Sequence, residues 1–439
     1  MQILQIILSI FSIITIGCLF FRPKIGVAAY MAYMFFAPHL IIGNVILGTR
    51  TESLIVMLAF FLTYFRKTPK AVYLPLKPFL IFYGLQLLLV PFSFDMDYSF
   101  GIWMIEFSRI IFFVFLASAI YQSEKEGIGS LYTNVLFAIT LLVIIYGLFL
   151  TAMPGINPYQ MMLQPIFGGE FNEVYASGNG GLSNSVDIAD GRIFGRISSL
   201  FSDPQEYALV LGFMLLLSWN VVSGKVMTGI MTVAIIVAII TCGVRTPIAA
   251  IIITIAFLML YSRKYKYFLY AFISASVLLY IIPLISPELN DYVSSVINPS
   301  ADTSIKGSSL EMRLSQLDGC VGIIENSPIF GKGIGWTGWY LAKFEGHPQA
   351  LYFESILFSV LCNMGVVGIV LWSVLGNMYC HTVQRNIVEK KNKAVLYALL
   401  IYYLAYTGIT GDYGYLPQFV LMFTVLYFHC KKNEETIKE

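Results

Sequence analysis

The chain has 439 residues, of which 58% are hydrophobic and only 12% are charged, and its mean hydropathy is +0.76. Because soluble domains carry about a quarter of charged residues, these values exclude an ordinary soluble globule. The net charge of +2 excludes no partner, because the informative quantity in a membrane protein is how charge divides between its two faces. At roughly 20 residues per span, the composition predicts an all-α polytopic integral membrane protein with about 12–13 transmembrane helices.

Long apolar runs bounded by charges, Gly and Pro mark the candidate spans. Thirteen ranges are predicted: 2–21, 25–44, 51–65, 76–93, 101–121, 131–151, 204–222, 226–243, 246–261, 267–284, 351–376, 394–409 and 416–430. In the fourth range, Pro78 and Pro91 are expected to bend the span or to mark a re-entrant entry. No charge precedes Arg22, so 2–21 lacks the basic region of a cleavable signal peptide and is predicted as a retained first helix.

Lys and Arg predict the orientation, because cationic connections stay cytoplasmic. They cluster in connections on one side of the predicted bundle, at 22–24, 66–70, 263–266, 385–393 and 431–432. The opposite side holds two long loops, 152–203 and 285–350, and is predicted to be the exterior, which is the periplasm in a bacterium with two membranes. The N-terminus is predicted outside and the C-terminus inside.

The two long loops divide the chain into five predicted parts. They are N-terminal helices 1–151, a first periplasmic loop 152–203, central helices 204–284, a second periplasmic loop 285–350, and C-terminal helices with a short cytoplasmic tail at 351–439. The six cysteines show no C-x-x-C or Cys/His spacing, so we expect neither a disulfide framework nor a zinc site. No metal or other cofactor is expected.

Few arginines lie on the predicted exterior side, and their placement points to anion binding. Four of them, Arg192, Arg196, Arg245 and Arg313, lie in or beside the two long loops or in a tight turn between spans. A guanidinium is always charged and offers a planar fork of donors that suits phosphate oxygens. A cluster at the membrane surface is therefore predicted to hold a lipid-linked pyrophosphate. The alternative is that each arginine neutralises loop acids or extends to headgroups.

The sequence around these arginines resembles a known family. Arg196 opens Arg-Ile-Ser-Ser-Leu-Phe-Ser-Asp-Pro, Arg245 lies in an Arg-Thr-Pro turn, and Arg313 precedes Pro-Ile-Phe-Gly-Lys-Gly-Ile-Gly at 328–335. Glu354 and then Asn-Met-Gly-Val-Val-Gly at 363–368 close the pattern. Over about 190–376 this order resembles the O-antigen ligase and O-antigen polymerase superfamily, which includes Wzy-type polymerases and lipid A-core ligases. Arg-Pro-Lys-Ile-Gly-Val at 22–27 and Ala-Pro-His at 37–39 are more faintly similar to O-glycosylation ligases of that superfamily.

The resemblance implies a metal-independent, inverting membrane glycosyltransferase that takes glycan from an undecaprenyl-pyrophosphate donor. Its acceptor would be a glycan, a lipid A-core or a protein. By position, Arg196, Arg245 and Arg313 would bind the pyrophosphate, and an exterior side chain near the second loop would activate the acceptor hydroxyl. Pyrophosphate leaves readily once arginines hold its charge.

Two side chains are candidates for the general base. Ligases usually carry a His-Asn pair about eleven residues before the closing glycine, but here that position is Glu354, followed by Ser355. Glu354 is predicted at the exterior end of a span, where it can remove a proton from a sugar hydroxyl. His347 has a suitable ordinary pKa. The alternatives are a Glu354 that pairs with an arginine and a His347 that is merely exposed.

Charged residues inside or at the ends of spans are further candidates. Glu106 and Arg109 lie three apart in an apolar span and predict either a structural ion pair or a cavity lining. Asp203, Glu206 and Asp412 at exterior span ends are weaker candidates, and Asp203 followed by Pro is also typical of a helix start. The loop aromatics that are candidates for stacking on sugars are Trp336, Trp339, Tyr340 and Phe344.

The sequence leaves two classes of function open. The first is a membrane glycosyltransferase that polymerises or ligates lipid-linked oligosaccharide for O-antigen, capsule or exopolysaccharide. The alternative is a polytopic transporter or flippase for a lipid-linked or small anionic solute. A transporter is expected to show repeats and ionisable groups near the bilayer midplane, whereas here most of these groups lie at exterior span ends, which favours the glycosyltransferase.

Overall fold

The computed structural model describes most of the chain. The described residues are 2–128, 130–152, 157–167, 197–201, 204–222, 224–266, 269–270, 273, 310–344, 346–411 and 415–438. Several predictions fall outside them: Arg192, Arg196, Asp203, Asp412, nearly all of the tenth span, and most of both long loops. These predictions stay untested.

Fifteen α-helices occupy the described residues. In chain order they are α1 (Gln2–Phe21), α2 (Pro23–Tyr33), α3 (Thr49–Thr63), α4 (Lys77–Leu87), α5 (Met96–Lys125), α6 (Leu131–Ala152), α7 (Pro158–Phe167), α8 (Pro204–Val221), α9 (Lys225–Thr241), α10 (Thr246–Tyr261), α11 (Leu310–Ile324), α12 (Trp336–Lys343), α13 (Ile356–Asn386), α14 (Lys390–Ile409) and α15 (Leu416–Lys438). Short 3₁₀ helices at Lys70–Leu76 and Val90–Phe92 flank α4. One antiparallel hairpin joins β1 (Ile41–Ile42) to β2 (Val45–Ile46).

Five helical segments in the described part of the chain are long and apolar enough to cross a membrane. They are Ile3–Phe21, Lys70–Phe92, Met96–Lys125, Leu131–Thr151 and Ile356–Asn386. The first of them leaves apolar side chains uncovered by protein, such as Ile3, whose exposure is 75%. Such a surface is stable against hydrocarbon and costly against water. The chain is therefore an all-α polytopic membrane protein, and the count of 12–13 spans stays a prediction.

The second predicted span, 25–44, is wrong in its second half. Helix α2 ends at Tyr33, and the chain then turns and forms the β1–β2 hairpin before α3 begins at Thr49. Eleven helical residues rise only about 16 Å, which is half of a bilayer. Irregular backbone at membrane depth is stable where protein covers it, and Phe35, Ala37, Leu40 and Ile41 are buried.

Helix contacts define two ends of the bundle. The end where α3, α5, α8, α10, α13 and α15 begin is called the loop face, after the two long loops that the sequence predicts on that side. The opposite end carries the lysine and arginine clusters and is called the basic face. At the basic face, Lys24 pairs with Glu126 at the end of α5, and Tyr132 at the start of α6 donates to the Lys24 carbonyl.

Helix α13 contains a break that explains two sequence motifs. Gly365 has φ +59° and ψ −152° inside the helix. The freed backbone groups bind the 328–335 segment, because Val366 N–H donates to Pro328 O (3.0 Å) and Lys332 N–H donates to Cys362 O (2.8 Å). A Cβ on Gly365 would lie 2.5 Å from Pro328 O. The glycine motifs therefore form a close backbone contact that fixes α11 and α12 against α13.

Candidate functional site

Arg313 and Glu354 form an ion pair at the loop face. Arg313 Nη2 lies 3.2 Å from Glu354 Oε2. Its Nη1 donates to the Glu354 backbone oxygen and to Gln316 Oε1, both at 2.9 Å. Burial lowers the pKa of Arg313, and the Glu354 carboxylate opposes this shift. Arg313, predicted to bind the donor pyrophosphate, is thus in direct contact with Glu354, predicted to activate the acceptor hydroxyl. The alternative prediction, that Glu354 pairs with an arginine, also expects this contact.

The backbone ahead of Glu354 is held in an unusual conformation. Leu351 and Phe353 have positive φ values of 50° and 55°, which L side chains rarely adopt. Ser355 then caps α13 by accepting the Leu357 N–H, and its hydroxyl donates to Gly408 O at the end of α14 (2.8 Å). The Ser355 cap and its bond to α14 therefore fix the backbone position of the neighbouring Glu354.

His347 closes the turn that precedes Glu354. Its backbone pairs with Leu351 in both directions at 2.9 Å, and its Nδ1 accepts the N–H groups of Gln349 (3.3 Å) and Ala350 (3.0 Å). An imidazole that accepts at Nδ1 is neutral and carries its proton on Nε2. Burial also lowers the pKa of His347. The lone pair that a base needs is therefore already used by the backbone.

Arg245 stands at the start of α10. It is the residue ahead of Thr246, with φ −84°, and its side chain is partly buried. The described chain returns to this turn from another direction, because Ile197 N–H donates to Cys242 O (3.2 Å). The turn that carries Arg245 is therefore in contact with Ile197, the residue that follows Arg196 in the sequence.

Glu106 and Arg109 pair within α5. Arg109 Nη1 donates to Glu106 Oε1 at 2.9 Å, and Tyr83 donates to Glu106 Oε2 at 3.4 Å. The Arg109 side chain is 38% exposed, against 13% for Glu106. Arg109 lines a cavity, so the structure combines the two alternatives, an ion pair with one member facing a cavity.

The cavity measures about 300 Å³ and lies among α2, α3, α5, α8 and α15 on the loop-face side of the bundle. Glu52 of α3 lines it beside Arg109 and is only 6% exposed. Glu52 accepts from the Tyr30 hydroxyl (3.1 Å) and from the Leu40 N–H, and its Oε1 lies 3.6 Å from His39 Nδ1. A buried carboxylate thus holds the irregular 34–40 segment in place.

Sequence reasoning did not single out Glu52, and it used His39 only as part of a resemblance. The signal for Glu52 was that it is the one charged residue of the predicted span 51–65, since a charge in an apolar span is expensive unless it has a function or a partner. Glu206, a weaker sequence candidate, also lines the cavity and accepts from Gln418 Nε2 at 2.7 Å.

Contacts connect the cavity to the Arg313–Glu354 pair. Glu206 follows Gln205, whose Oε1 accepts from the Thr410 hydroxyl (3.3 Å). Thr410 ends α14 two residues after Gly408, the partner of the Ser355 cap. Neither Arg245, Arg313 nor Glu354 is among the described residues that line the cavity. The pair and the cavity are thus separate features, connected through the contact of Gln205 with the end of α14.

The loop aromatics pack against one another beside this site. The rings of Trp336, Tyr340, His347 and Phe353 contact each other edge to face or at a tilt, and Trp339 lies under the Lys343 ammonium at 4.3 Å. Phe344 packs at a tilt against Tyr340 and is exposed. Most of these rings therefore pack α12 against the turn that contains His347 and Phe353. Across the described residues, no group of three or more His, Cys, Asp and Glu side chains has metal-site geometry.

Residues 230–373 match the family model described as O-antigen ligase. No curated protein and no solved structure matches the chain. Over residues 230–373, this match supports the similarity to the O-antigen ligase and polymerase superfamily that the sequence predicts over about 190–376. It supports a function of the glycan ligase or polymerase type. Arg245, Arg313 and Glu354 lie inside the matched segment, whereas Arg192, Arg196, Glu106 and Arg109 lie outside it.

Proposed function

We propose that the chain is a membrane glycosyltransferase that joins glycan from an undecaprenyl-pyrophosphate donor at the loop face. We place that face in the periplasm and the chain in the bacterial inner membrane. The product is O-antigen, capsule or exopolysaccharide, and the acceptor is a glycan, a lipid A-core or a protein. The observation that carries the proposal is the contact between Arg313 and Glu354 inside the segment that matches the O-antigen ligase family.

The pair supplies both kinds of group that glycosyl transfer from a pyrophosphate requires. The acceptor hydroxyl attacks the anomeric carbon while the bond to the pyrophosphate breaks, so one group must take a proton and another must hold the leaving charge. Glu354 takes the proton, and Arg313 with Arg245 binds the pyrophosphate. In the absence of donor, Arg313 holds Glu354. The incoming pyrophosphate competes for the guanidinium and releases the carboxylate to act as the base.

Glu354 is a better candidate for the base than His347. Among the described contacts of Glu354, Arg313 takes one carboxylate oxygen and the backbone oxygen, which leaves Oε1 for a substrate hydroxyl. His347 uses its lone pair in the turn. A single displacement assisted by one carboxylate inverts the anomeric centre and needs no metal ion.

The α5 cavity suits a sugar better than it suits a pyrophosphate. Glu52, Glu106 and Glu206 bring three carboxylates to it or to its edge, against one guanidinium from Arg109. A polyanion would be repelled by this balance. Carboxylates, hydroxyls such as Ser108, and aromatic side chains instead suit the hydroxyl groups and the apolar faces of a sugar. We therefore place part of the glycan there.

The test is the glycan profile of cells that carry single variants in place of the native chain, with membrane levels of each variant measured by an epitope tag. For a polymerase, Arg245→Ala and Arg313→Ala are expected to abolish the long-chain glycan ladder on a gel and to leave single-unit glycan. For a ligase, they are expected to leave polymer on the carrier lipid and none on the final acceptor. Arg66→Ala, an exposed arginine on the basic face, is the control and should leave the ladder intact. A normal ladder in both loop-face variants would refute the phosphate role.

The same assay separates the roles of the acids. Glu354→Gln is expected to lower transfer on the order of 10²–10⁴-fold, as loss of a general base does, while His347→Asn retains it. Glu52→Gln should shorten or deplete the ladder, and the exposed Asp97→Asn should not. If polymer accumulates on the carrier lipid but never reaches its final acceptor, the activity is ligation; if only single units accumulate, it is polymerisation.

A further inference from the structure

A groove on the basic face lies between the last turns of α10 and the first turns of α14. It is at the opposite end of these helices from the loop-face site. Its volume is about 770 Å³. Apolar side chains such as Leu258 and Val395 line it, together with the rings of Trp219 and Tyr261. About one turn nearer the start of α10, Ile252 lies on the same side of the helix as Ile255 and Met259 of the groove. Its exposure is 61%. The groove therefore continues into a surface that faces hydrocarbon.

Three lysines line the same groove. Lys264 follows the end of α10, and Lys390 and Lys391 begin α14. All three are exposed, and Lys390 Nζ lies 5.4 Å from the centroid of the Tyr261 ring. Among the residues that the structure describes, no carboxylate lies within ion-pair distance of these ammonium groups. The groove is thus cationic at its rim and apolar along its floor.

A carboxylate already lies at the start of α14. Glu434 of α15 accepts the N–H groups of Val388 and Glu389 and the amide of Asn392. The lysine ammonium groups, not the helix N-terminus, are therefore what the groove offers to a ligand.

We propose that this groove binds an anionic phospholipid, with its phosphate among Lys264, Lys390 and Lys391 and its acyl chains along α10 and α14. Basic pockets between helices at a membrane surface hold anionic headgroups, and each lysine near the surface contributes on the order of fivefold to affinity. A free phosphate would use the rim but leave the apolar floor uncovered. Only a ligand with a charged head and an apolar tail matches both parts.

Trp219 provides a direct reporter, because it lines the groove and its indole N–H is fixed on the Thr232 hydroxyl (2.9 Å). A variant keeps Trp219 and carries Phe at the other four tryptophans, Trp103, Trp336, Trp339 and Trp372. It is placed in phosphatidylcholine vesicles that contain either brominated phosphatidylglycerol or brominated phosphatidylcholine. Because each of the three lysines contributes on the order of fivefold, we expect phosphatidylglycerol to quench Trp219 with an apparent affinity on the order of a hundredfold higher than phosphatidylcholine.

Charge-removal variants identify the groups responsible. Lys264→Gln, Lys390→Gln and Lys391→Gln together should bring the preference for phosphatidylglycerol close to one. Arg66→Gln, Lys67→Gln and Lys70→Gln remove the same charge from another exposed cluster of the basic face and should preserve it. Equal quenching by the two lipids, or an equal loss in both triple variants, would overturn the proposal.

Two further measurements keep the result independent of the tryptophan replacements. The chain with all five native tryptophans is purified with and without the groove substitutions, and retained phosphatidylglycerol is measured by mass spectrometry. We expect at least a severalfold loss of retained lipid in the groove variant alone. Excess inorganic phosphate should not displace the brominated lipid, and displacement would show that a free anion is the ligand and refute the lipid site.

Discussion

At the scale of single residues, the loop-face site depends on which lone pairs and charges are already used. Among the described contacts, the ion pair with Arg313 uses only one carboxylate oxygen of Glu354, whereas His347 gives its Nδ1 lone pair to two backbone N–H groups. The residue types alone favoured neither, since a histidine has the more suitable ordinary pKa. Only the hydrogen bonds of the 347–351 turn distinguish them.

The lowered pKa of His347 predicts a loss of stability in acid. Because the folded pKa lies below the unfolded value of about 6.5, the unfolded chain takes up the proton first. Stability that is fully present above about pH 6.5 is therefore lost progressively as pH falls toward the folded pKa. Thermal unfolding of the purified protein should show a midpoint that decreases across this range.

His347→Asn is the matched variant for this measurement, because its Oδ1 can accept the same N–H groups and does not titrate. The difference in midpoint between the native chain and the variant should grow as pH falls below about 6.5. A difference that stays constant with pH would show that His347 does not contribute to the acid sensitivity.

At the scale of helices, the break in α13 at Gly365 determines how the elements of the site are arranged. It allows segment 328–335 to bind backbone groups of α13 and thereby positions α11, which carries Arg313, against the cap that follows Glu354. The glycine motifs of the sequence are therefore positioning elements. No contact of Gly365 itself with a substrate is needed to explain them.

Gly365→Ala is expected to destabilise the fold by about 2 kcal/mol or more, because a Cβ there meets backbone atoms of Pro328, Ile329 and Gly331 at 2.5–2.6 Å in a conformation that favours glycine. Gly376→Ala is the control in the same helix. Nothing lies within 4 Å of its Cβ position, so it should be neutral or stabilise by up to about 1 kcal/mol. Thermal unfolding of both variants in one detergent decides, and equal midpoints would contradict the proposed packing.

At the scale of the whole molecule, charge separates the two proposed sites. The loop face holds the Arg313–Glu354 pair and the cavity with its excess of carboxylates, and the basic face holds the lysine-lined groove. The positive-inside tendency predicts that the basic face is cytoplasmic. Chemistry on a translocated lipid-linked donor and retention of a phospholipid would then occur on opposite sides of the bilayer.

This orientation predicts which positions react from outside intact cells. In a background without the native cysteines, Lys343→Cys on the loop face should react with a membrane-impermeant maleimide. Lys70→Cys on the basic face should react only after permeabilisation, and both lysines are exposed in the fold. The opposite labelling pattern would reverse the orientation and remove the proposed site from the periplasm.

The sequence by itself determined the class of protein and the place of most helices. Apolar runs long enough to cross a bilayer bury themselves in hydrocarbon whatever their neighbours are, so α1, α5, α6 and α8 to α10 lie close to the ranges that hydropathy predicts. The same runs failed at 34–44, where Glu52 and covering side chains stabilise irregular backbone that hydropathy alone cannot distinguish from helix.

Only the tertiary structure decided which distant residues meet. The pairing of Arg313 with Glu354, the contact of Gly365 with segment 328–331, and the cavity of Glu52 and Arg109 join residues that are tens of positions apart. No local propensity specifies such contacts, because they depend on how helices pack against one another. For the same physical reason, the sequence alone could not show that Arg313 pairs with Glu354 or that Arg109 and Glu206 line one cavity.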